Sequence, residues 1–194
     1  MAIDAYMYFQ DYNSKFQSSE SQVAPTVDSR DLMWKKFEFD KAQGDGGLFE
    51  VEDFSFDVEQ TLNIGSQSTG AGAGKITFNP FSITRKIDKL SPTLFQMACA
   101  GTPFQKVALG SRKASGGNTS GIMYLVFCFK LVAVKTISWS YDDESPKETV
   151  TFEYGGLQVH YSQQKADGSF VAPIPAGWNK VKNVKDDDPA TLIR

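Results

Sequence analysis

Apolar and polar residues alternate with a period of two along most of the chain, which has 194 residues. The first segment shows this pattern clearly. Its apolar side chains fall on one face and its more polar ones on the other: Ile3, Ala5, Met7 and Phe9 against Asp4, Tyr6, Tyr8 and Gln10. Such alternation is typical of β-strands with one buried face. The dominant period therefore predicts a mainly β protein.

The alternation changes phase inside three segments, residues 49–58, 76–83 and 150–161. The last change is the cleanest, and Gly155 and Gly156 lie at the switch. One extra residue moves every later side chain to the opposite face of a sheet. A β-bulge inserts such a residue, and glycine often marks the place. The three changes predict a strongly bent antiparallel sheet that closes as a β-barrel.

One short α-helix is predicted at about residues 91–100, which makes the fold class α+β with β predominant. Ser91 fits the N-cap and Pro92 the first helical position. Gly101 fits the stop at the C-terminal end. Before this helix, residues 11–33 are mostly polar and predict a long loop, whereas residues 34–40 alternate like a strand.

Residues 122–134 are apolar on both faces, with Lys130 as the exception. A strand with one solvated face does not have this pattern. Its outer face is therefore covered either by a helix, such as residues 91–100, or by another subunit. The candidates for this covered or interface strand are Tyr124, Val126, Phe127 and Cys128.

The charge balance disfavours a general nucleic-acid binder, because 20 Lys and Arg face 23 Asp and Glu. A basic group remains, which we interpret as a solvated or intersubunit face: Arg85, Lys86, Lys89, Lys106, Arg112 and Lys113. Residues 122–129 form the longest apolar run and are far shorter than the ~20 residues of a membrane-spanning helix. Residues 1–6 lack a cationic start. We expect neither membrane insertion nor a Sec signal peptide.

No catalytic, cofactor or metal site is predicted. His160 is the single histidine, a surface or hydrogen-bonded residue by its position in a strand, and a zinc site needs several ligands. Cys99 and Cys128 lie in apolar surroundings and are interpreted as reduced core thiols. Thr119 stands where a G-x-S-x-G nucleophile motif requires serine.

Residues 87–101, followed by Phe104 and by residues 109–114, resemble the central signature of the Hcp family. These are the tube proteins of the bacterial type VI secretion system. Residues 1–6, residues 148–157 and the later Gly177-Trp178-Asn179 resemble other parts of the family in the same order. The resemblance covers roughly residues 1–180, expected as a single domain, and leaves residues 181–194 as a tail of mixed charge.

The resemblance implies a phage-tail-tube-like β-barrel with one α-helix, assembled into homohexameric rings that stack into a tube. It further implies a contractile sheath, a VgrG-like spike protein and effector proteins as partners. It also implies that the tube assembles in the bacterial cytoplasm and is secreted. Four glycines become candidates for a ring-stacking loop: Gly65, Gly70, Gly72 and Gly74.

Two other functions are kept as alternatives. The first is a monomeric β-barrel or sandwich that binds a ligand such as a carbohydrate through exposed Tyr6, Tyr8 or Trp178. The second is an enzyme, which we do not expect, because only about 15 residues follow the resemblance and cannot form an effector domain.

Overall fold

The computed structural model describes residues 4–10, 25, 27–28, 30–62, 73–113, 121–141, 145–188 and 190. The strands in this part of the chain are β1 (Ala5–Gln10), β2 (Phe49–Glu50), β3 (Asp53–Ser55), β4 (Val58–Leu62), β5 (Ala73–Phe78), β6 (Phe81–Lys86), β7 (Phe104–Lys113), β8 (Ile122–Tyr141), β9 (Pro146–Tyr161), β10 (Ile174–Asn179) and β11 (Val184–Lys185). The helices are α1 (Leu32–Lys36), α2 (Phe39–Gly44) and α3 (Ser91–Ala100). The predominance of β structure is confirmed, but α1 and α2 add two helices to the one predicted.

Nine strands form one antiparallel sheet in the order β11-β10-β9-β8-β7-β1-β2, with β6 beside β9 and β3 beside β6. The sheet bends so strongly that its two ends meet at residues 49–55. In this segment β2 pairs with β1, and β3 pairs with β6. Between these strands, the amides of Val51 and Glu52 donate to Ala5 O and Thr84 O at 3.0 and 2.8 Å. The break in the ladder at these two residues means that the sheet is strongly bent, as predicted, but not closed as a continuous barrel.

The change of phase at Gly155 is real, although the predicted bulge at this position is wrong. Strands β8 and β9 stay in register across it, with Phe129 opposite Leu157 and Val132 opposite Tyr154. All four of these side chains belong to the same buried cluster. Both strands therefore change face side by side, so that no residue is inserted. Leu131, between the two pairs, takes a φ of 50°.

The register shifts of the main sheet lie elsewhere, between Ser111 and Arg112 on the β7–β8 ladder and between Val134 and Thr136 on the β8–β9 ladder. The other two predicted phase changes fall between strands. The first separates β2 from β3, and the second separates β5 from β6, which lie in different sheets. A change of strand, rather than a bulge, explains both.

The inner hydrophobic cluster lies on the concave side of the sheet and is rich in aromatic rings. Phe81 stacks on Phe129 and Phe152, with ring centroids 3.9 and 4.7 Å apart. Helix α3 adds Leu94 and Met97 to this cluster. Burial of each large apolar side chain contributes roughly 1.5–3 kcal/mol, so this cluster is the main source of stability for the sheet.

Helix α3 has the predicted bounds, but its N-terminal residue has a different role. Ser91 is the first helical residue and Leu90 is the N-cap. The Ser91 hydroxyl donates to Glu148 Oε1 at 2.8 Å instead of capping the helix. The C-terminal end is as predicted, since Gly101 adopts the left-handed conformation with a φ of 63°.

Residues 34–40, predicted as a strand, instead belong to α1 and α2. Asp31 caps α1 by accepting a hydrogen bond from the Trp34 amide at 2.9 Å. Glu38, between the helices, takes a φ of 58° and turns the chain. Trp34, Phe37 and Phe39 thereby reach one side and form a second, outer hydrophobic cluster with the convex side of the sheet.

Candidate functional site

The predicted covered strand is the first half of β8, and the chain itself covers part of it. Val126 and Cys128 are fully buried in the outer cluster beneath α1 and α2. The outer face is thus covered by a helix, the first of the two alternatives. Helix α3, suggested for this role, packs against the inner cluster instead.

The other two residues of the predicted set lie differently. Phe127 points to the opposite face and meets Phe54 and Phe56 edge-on, at centroid distances of 5.9 and 4.9 Å. Tyr124 is half-buried near the start of β8, where the Lys113 ammonium lies 4.2 Å from its ring centroid. A role of these residues in subunit contact stays a prediction.

Polar contacts fix the helical cover to the sheet. The two carboxylate oxygens of Asp31 accept from the amides of Trp34 and Met123, each at 2.9 Å, which joins α1 to β8. Arg112 lies over the Trp34 ring at 5.3 Å, and the Tyr8 hydroxyl donates to Phe37 O. Burial raises the pKa of the Asp31 carboxyl group. These contacts make the cover part of the folded subunit.

Three of the four glycines assigned to ring stacking, Gly65, Gly70 and Gly72, lie outside the described residues. Gly74 lies in β5, which pairs with β4 in a two-stranded sheet of its own. This hairpin is separate from the nine-stranded sheet. Its function in stacking stays a prediction.

The nucleophile and metal candidates do not form a reactive site in the described part of the chain. Burial raises the pKa of the Cys128 thiol to about 11, so it stays protonated at neutral pH. Cys99 is exposed on α3, and its interpretation as a core thiol is wrong, because the opposite face of the helix is the buried one. The described residues contain no group of three or more His, Cys, Asp or Glu that could hold a metal ion.

Two interpretations based on exposure are wrong. The basic group is divided, because Arg85, Lys106 and Arg112 are buried in the folded chain. Tyr6 and Tyr8, the proposed stacking platforms for a sugar, are also buried, since α1 and α2 cover them. None of the helices in the described ranges has the length and apolarity needed to cross a bilayer.

Two polar clusters that the structure contains were not predicted from the sequence. In the first, Arg85 and Glu148 form a buried ion pair at 2.7 Å. In the second, Lys130 binds Asp186 at 2.9 Å. Lys130, as the single cation in an apolar run, was the available signal, because a buried ammonium group requires a partner. Its partner lies too far along the chain to be found from local pattern.

Comparison with known proteins identifies the family. The family model described as "Type VI secretion system effector, Hcp" matches residues 40–161, which is more than half of the chain. The chain belongs to the Hcp family. Protein hcp1 of Pseudomonas aeruginosa is 36% identical over 114 residues, which are 57% of this chain and 69% of that protein. The resemblance found in the sequence is therefore confirmed.

Solved Hcp structures share the fold. A type six secretion system protein superposes with a TM-score of 0.71 at 22% identity, covering 95% of this chain and 100% of that one. Hcp1 from Salmonella typhimurium gives a TM-score of 0.65 at 20% identity, covering 96% of this chain and 100% of that one. As a member of the Hcp family, the chain is a type VI secretion tube subunit that self-assembles and is secreted. The monomeric ligand-binding alternative is not favoured.

The stability of this Hcp protein should fall in acid because of one buried imidazole. His160 has no exposed surface, and burial is the main cause that lowers its pKa from 6.5 to about 4. The unfolded chain binds a proton at His160 more readily than the folded chain does. The contribution of the neutral imidazole to the free energy of unfolding is therefore complete above about pH 6.5 and is lost as the pH falls towards 4. The free energy of unfolding should decrease by about 3 kcal/mol over that range.

Urea unfolding at several pH values measures this effect. Subtracting the profile of His160→Gln removes the contribution of acidic groups that titrate in both proteins. Parallel profiles for the two proteins would contradict the prediction.

Proposed function

We propose that the chain assembles into hexameric rings which stack into the type VI secretion tube and carry effector proteins. The observation that carries this proposal is the family match over residues 40–161, which includes strands β2 to β9 and therefore six of the nine strands of the main sheet. We further infer that a spike protein and a contractile sheath are its partners. In this proposal the tube assembles in the bacterial cytoplasm before it is secreted.

The proposed role is structural and not enzymatic, and the fold suits it. The single tube domain, expected over residues 1–180, is proposed to include β11 as well, because this strand pairs with β10 in the nine-stranded sheet. Because α1 and α2 cover the outer cluster, each subunit has its own hydrophobic core. Exposed apolar side chains remain available for association, including Phe95, Trp139 and Tyr141. Residues 65–74, with Gly65, Gly70, Gly72 and Gly74, are proposed to contact the next ring.

The mass of the purified protein tests the proposal directly. Light scattering should give about six times 21.4 kDa, and negative-stain images of the same fraction should show rings, with tubes where rings stack. Obligate interfaces commonly exceed ~2,000 Å², so the ring should persist on dilution. A single species of 21.4 kDa at high protein concentration would contradict ring formation.

A further inference from the structure

The outer face of β8 and β9 contains a polar slot beside the outer hydrophobic cluster. Lys106, Lys130, Gln158 and His160 line it, and all four are buried. Lys130 has no exposed surface, and its ammonium group donates to Asp186 Oδ2 at 2.9 Å and to Asp188 O at 2.7 Å. Both acceptors belong to residues 180–188, which we call the strap.

The strap fits the slot through backbone as well as side-chain contacts. The Gln158 amide group donates to Asp186 O at 2.7 Å, and the Asp186 amide donates to Gly177 O at 3.0 Å. A Cβ atom at Gly177 would lie 2.0 Å from Asp186 O, which no side chain could occupy while the strap is docked. Glycine at this position therefore leaves the space that the strap fills.

Charge complementarity explains why an acidic segment occupies this position. The charges of Lys36, Lys106 and Lys130 all act on the His160 ring, and that of Asp187 opposes them. Lys106, Lys130 and Asp186 likewise act together on Cys128. Lys106 lies opposite Lys130 in the β7–β8 ladder, and the strap supplies consecutive aspartates at this place, Asp186 to Asp188. A carboxylate here gains from two buried cations that water screens little.

The strap pairs with the sheet over a shorter length than the other strands next to it, with two paired positions between β10 and β11. Strand β11 is two residues long, and Val181 and Val184 on the strap are exposed. The slot is lined by polar groups that water can solvate, so opening it does not expose an apolar core. His160 Nδ1 and Asp187 Oδ1 are buried without a hydrogen-bond partner among the described residues, which disfavours the docked state. Such a segment is expected to open locally.

We propose that this slot is a binding site for acidic peptide segments, and that the strap is its resident, exchangeable ligand. The strap blocks the slot in its own chain, and when it opens, the strap of a second copy binds in its place. The inference does not rest on ring assembly, because the docked strap is observed within one chain and the test below adds the strap as a separate peptide.

A labelled peptide of residues 180–190 provides the test, with fluorescence anisotropy on the full-length protein as the readout. Gly177→Ala should displace the strap and open the slot, with a shift of the Gln158 side chain, because the added methyl group would also lie 2.7 Å from Gln158 Cγ. Gly44→Ala is the matched control, because an added methyl group there meets nothing within 4 Å. The apparent Kd should be at least tenfold lower for Gly177→Ala than for the wild type or the control, since a closed slot weakens apparent affinity by the open fraction.

Two further variants make the result decisive. Asp186→Lys opens the strap by placing a cation opposite Lys130 and leaves the slot unchanged, so it should also bind the peptide. Adding Lys130→Met to Gly177→Ala should weaken binding at least tenfold, with circular dichroism confirming the fold. The proposal is overturned if the two opened variants are folded and bind no better than the wild type. It is also overturned if binding survives Lys130→Met, or if a peptide with asparagine at all three aspartate positions binds equally well.

Discussion

Replacement of Val126 by aspartate should destabilise the subunit by about 4 to 5 kcal/mol, because a carboxylate would lose its contacts with water beneath the helical cover, even with the His160 imidazole opposite it. Val126 has no exposed surface and lies between Gly110 and His160 in the sheet, beneath the helical cover. A loss of this size removes most of the ~5–15 kcal/mol that keeps a domain folded. Chemical denaturation followed by circular dichroism measures it.

Ser138→Asp is the matched control, since Ser138 is an exposed residue of the same strand. It should change the free energy of unfolding by no more than about 0.5 kcal/mol. The Val126 variant also separates two kinds of cover. If another subunit covered this face, the variant would lose assembly and keep its fold. A variant that is folded and as stable as the wild type would disprove the placement of Val126 beneath α1 and α2.

Strands and the long helix were predictable because their signals are local. The alternation in residues 3–10 separates Ala5 and Met7 of the inner cluster from Tyr6 and Tyr8 of the outer cluster. A helix of ten residues records its ends through Pro92 and Gly101. The two short helices were not predicted, because α1 has five residues and α2 has six, which is less than two full turns each. In such short elements the spacing of Phe37 and Phe39 fits a strand equally well.

The partners of buried charges could not be predicted from local pattern. Lys130 is 56 residues from Asp186 in the sequence, and Arg85 is 63 residues from Glu148. The sheet topology brings each pair together, and that topology depends on register and long-range packing rather than on spacing. An unexplained cation in an apolar run therefore predicts that a partner exists, without indicating which residue it is.

A buried polar cluster joins three strands of the sheet to α3 through one carboxylate. Glu148 on β9 has no exposed surface, and its Oε1 accepts from Arg85 Nη1 at 2.7 Å and from Ser91 Oγ at 2.8 Å. Its Oε2 accepts from Trp139 Nε1 at 3.1 Å. Arg85 is also paired with Asp88. Loss of Glu148 would leave the serine and indole donors without this acceptor and the guanidinium with one carboxylate in place of two.

Glu148→Ala should therefore lower the free energy of unfolding by about 3 kcal/mol, near the lower limit for breaking a buried ion pair, because Asp88 still compensates Arg85. Glu153→Ala is the control, since Glu153 pairs with Lys135 where both side chains are almost half exposed, and it should cost less than about 1 kcal/mol. Urea denaturation of the two variants gives both values.

A double variant tests whether the cost of Glu148→Ala comes from an unpaired charge or from lost packing. Combining Arg85→Met with Glu148→Leu removes both charges and keeps most of the side-chain volume, so it should be more stable than Glu148→Ala alone. In Glu148→Ala the Arg85 guanidinium keeps only Asp88 as a partner, and this incomplete compensation of a buried charge would explain that recovery, because the apolar pair makes no ion pair of its own. If the double variant is instead less stable than Glu148→Ala, the cluster acts mainly by fixing the position of α3 through Ser91 and Trp139.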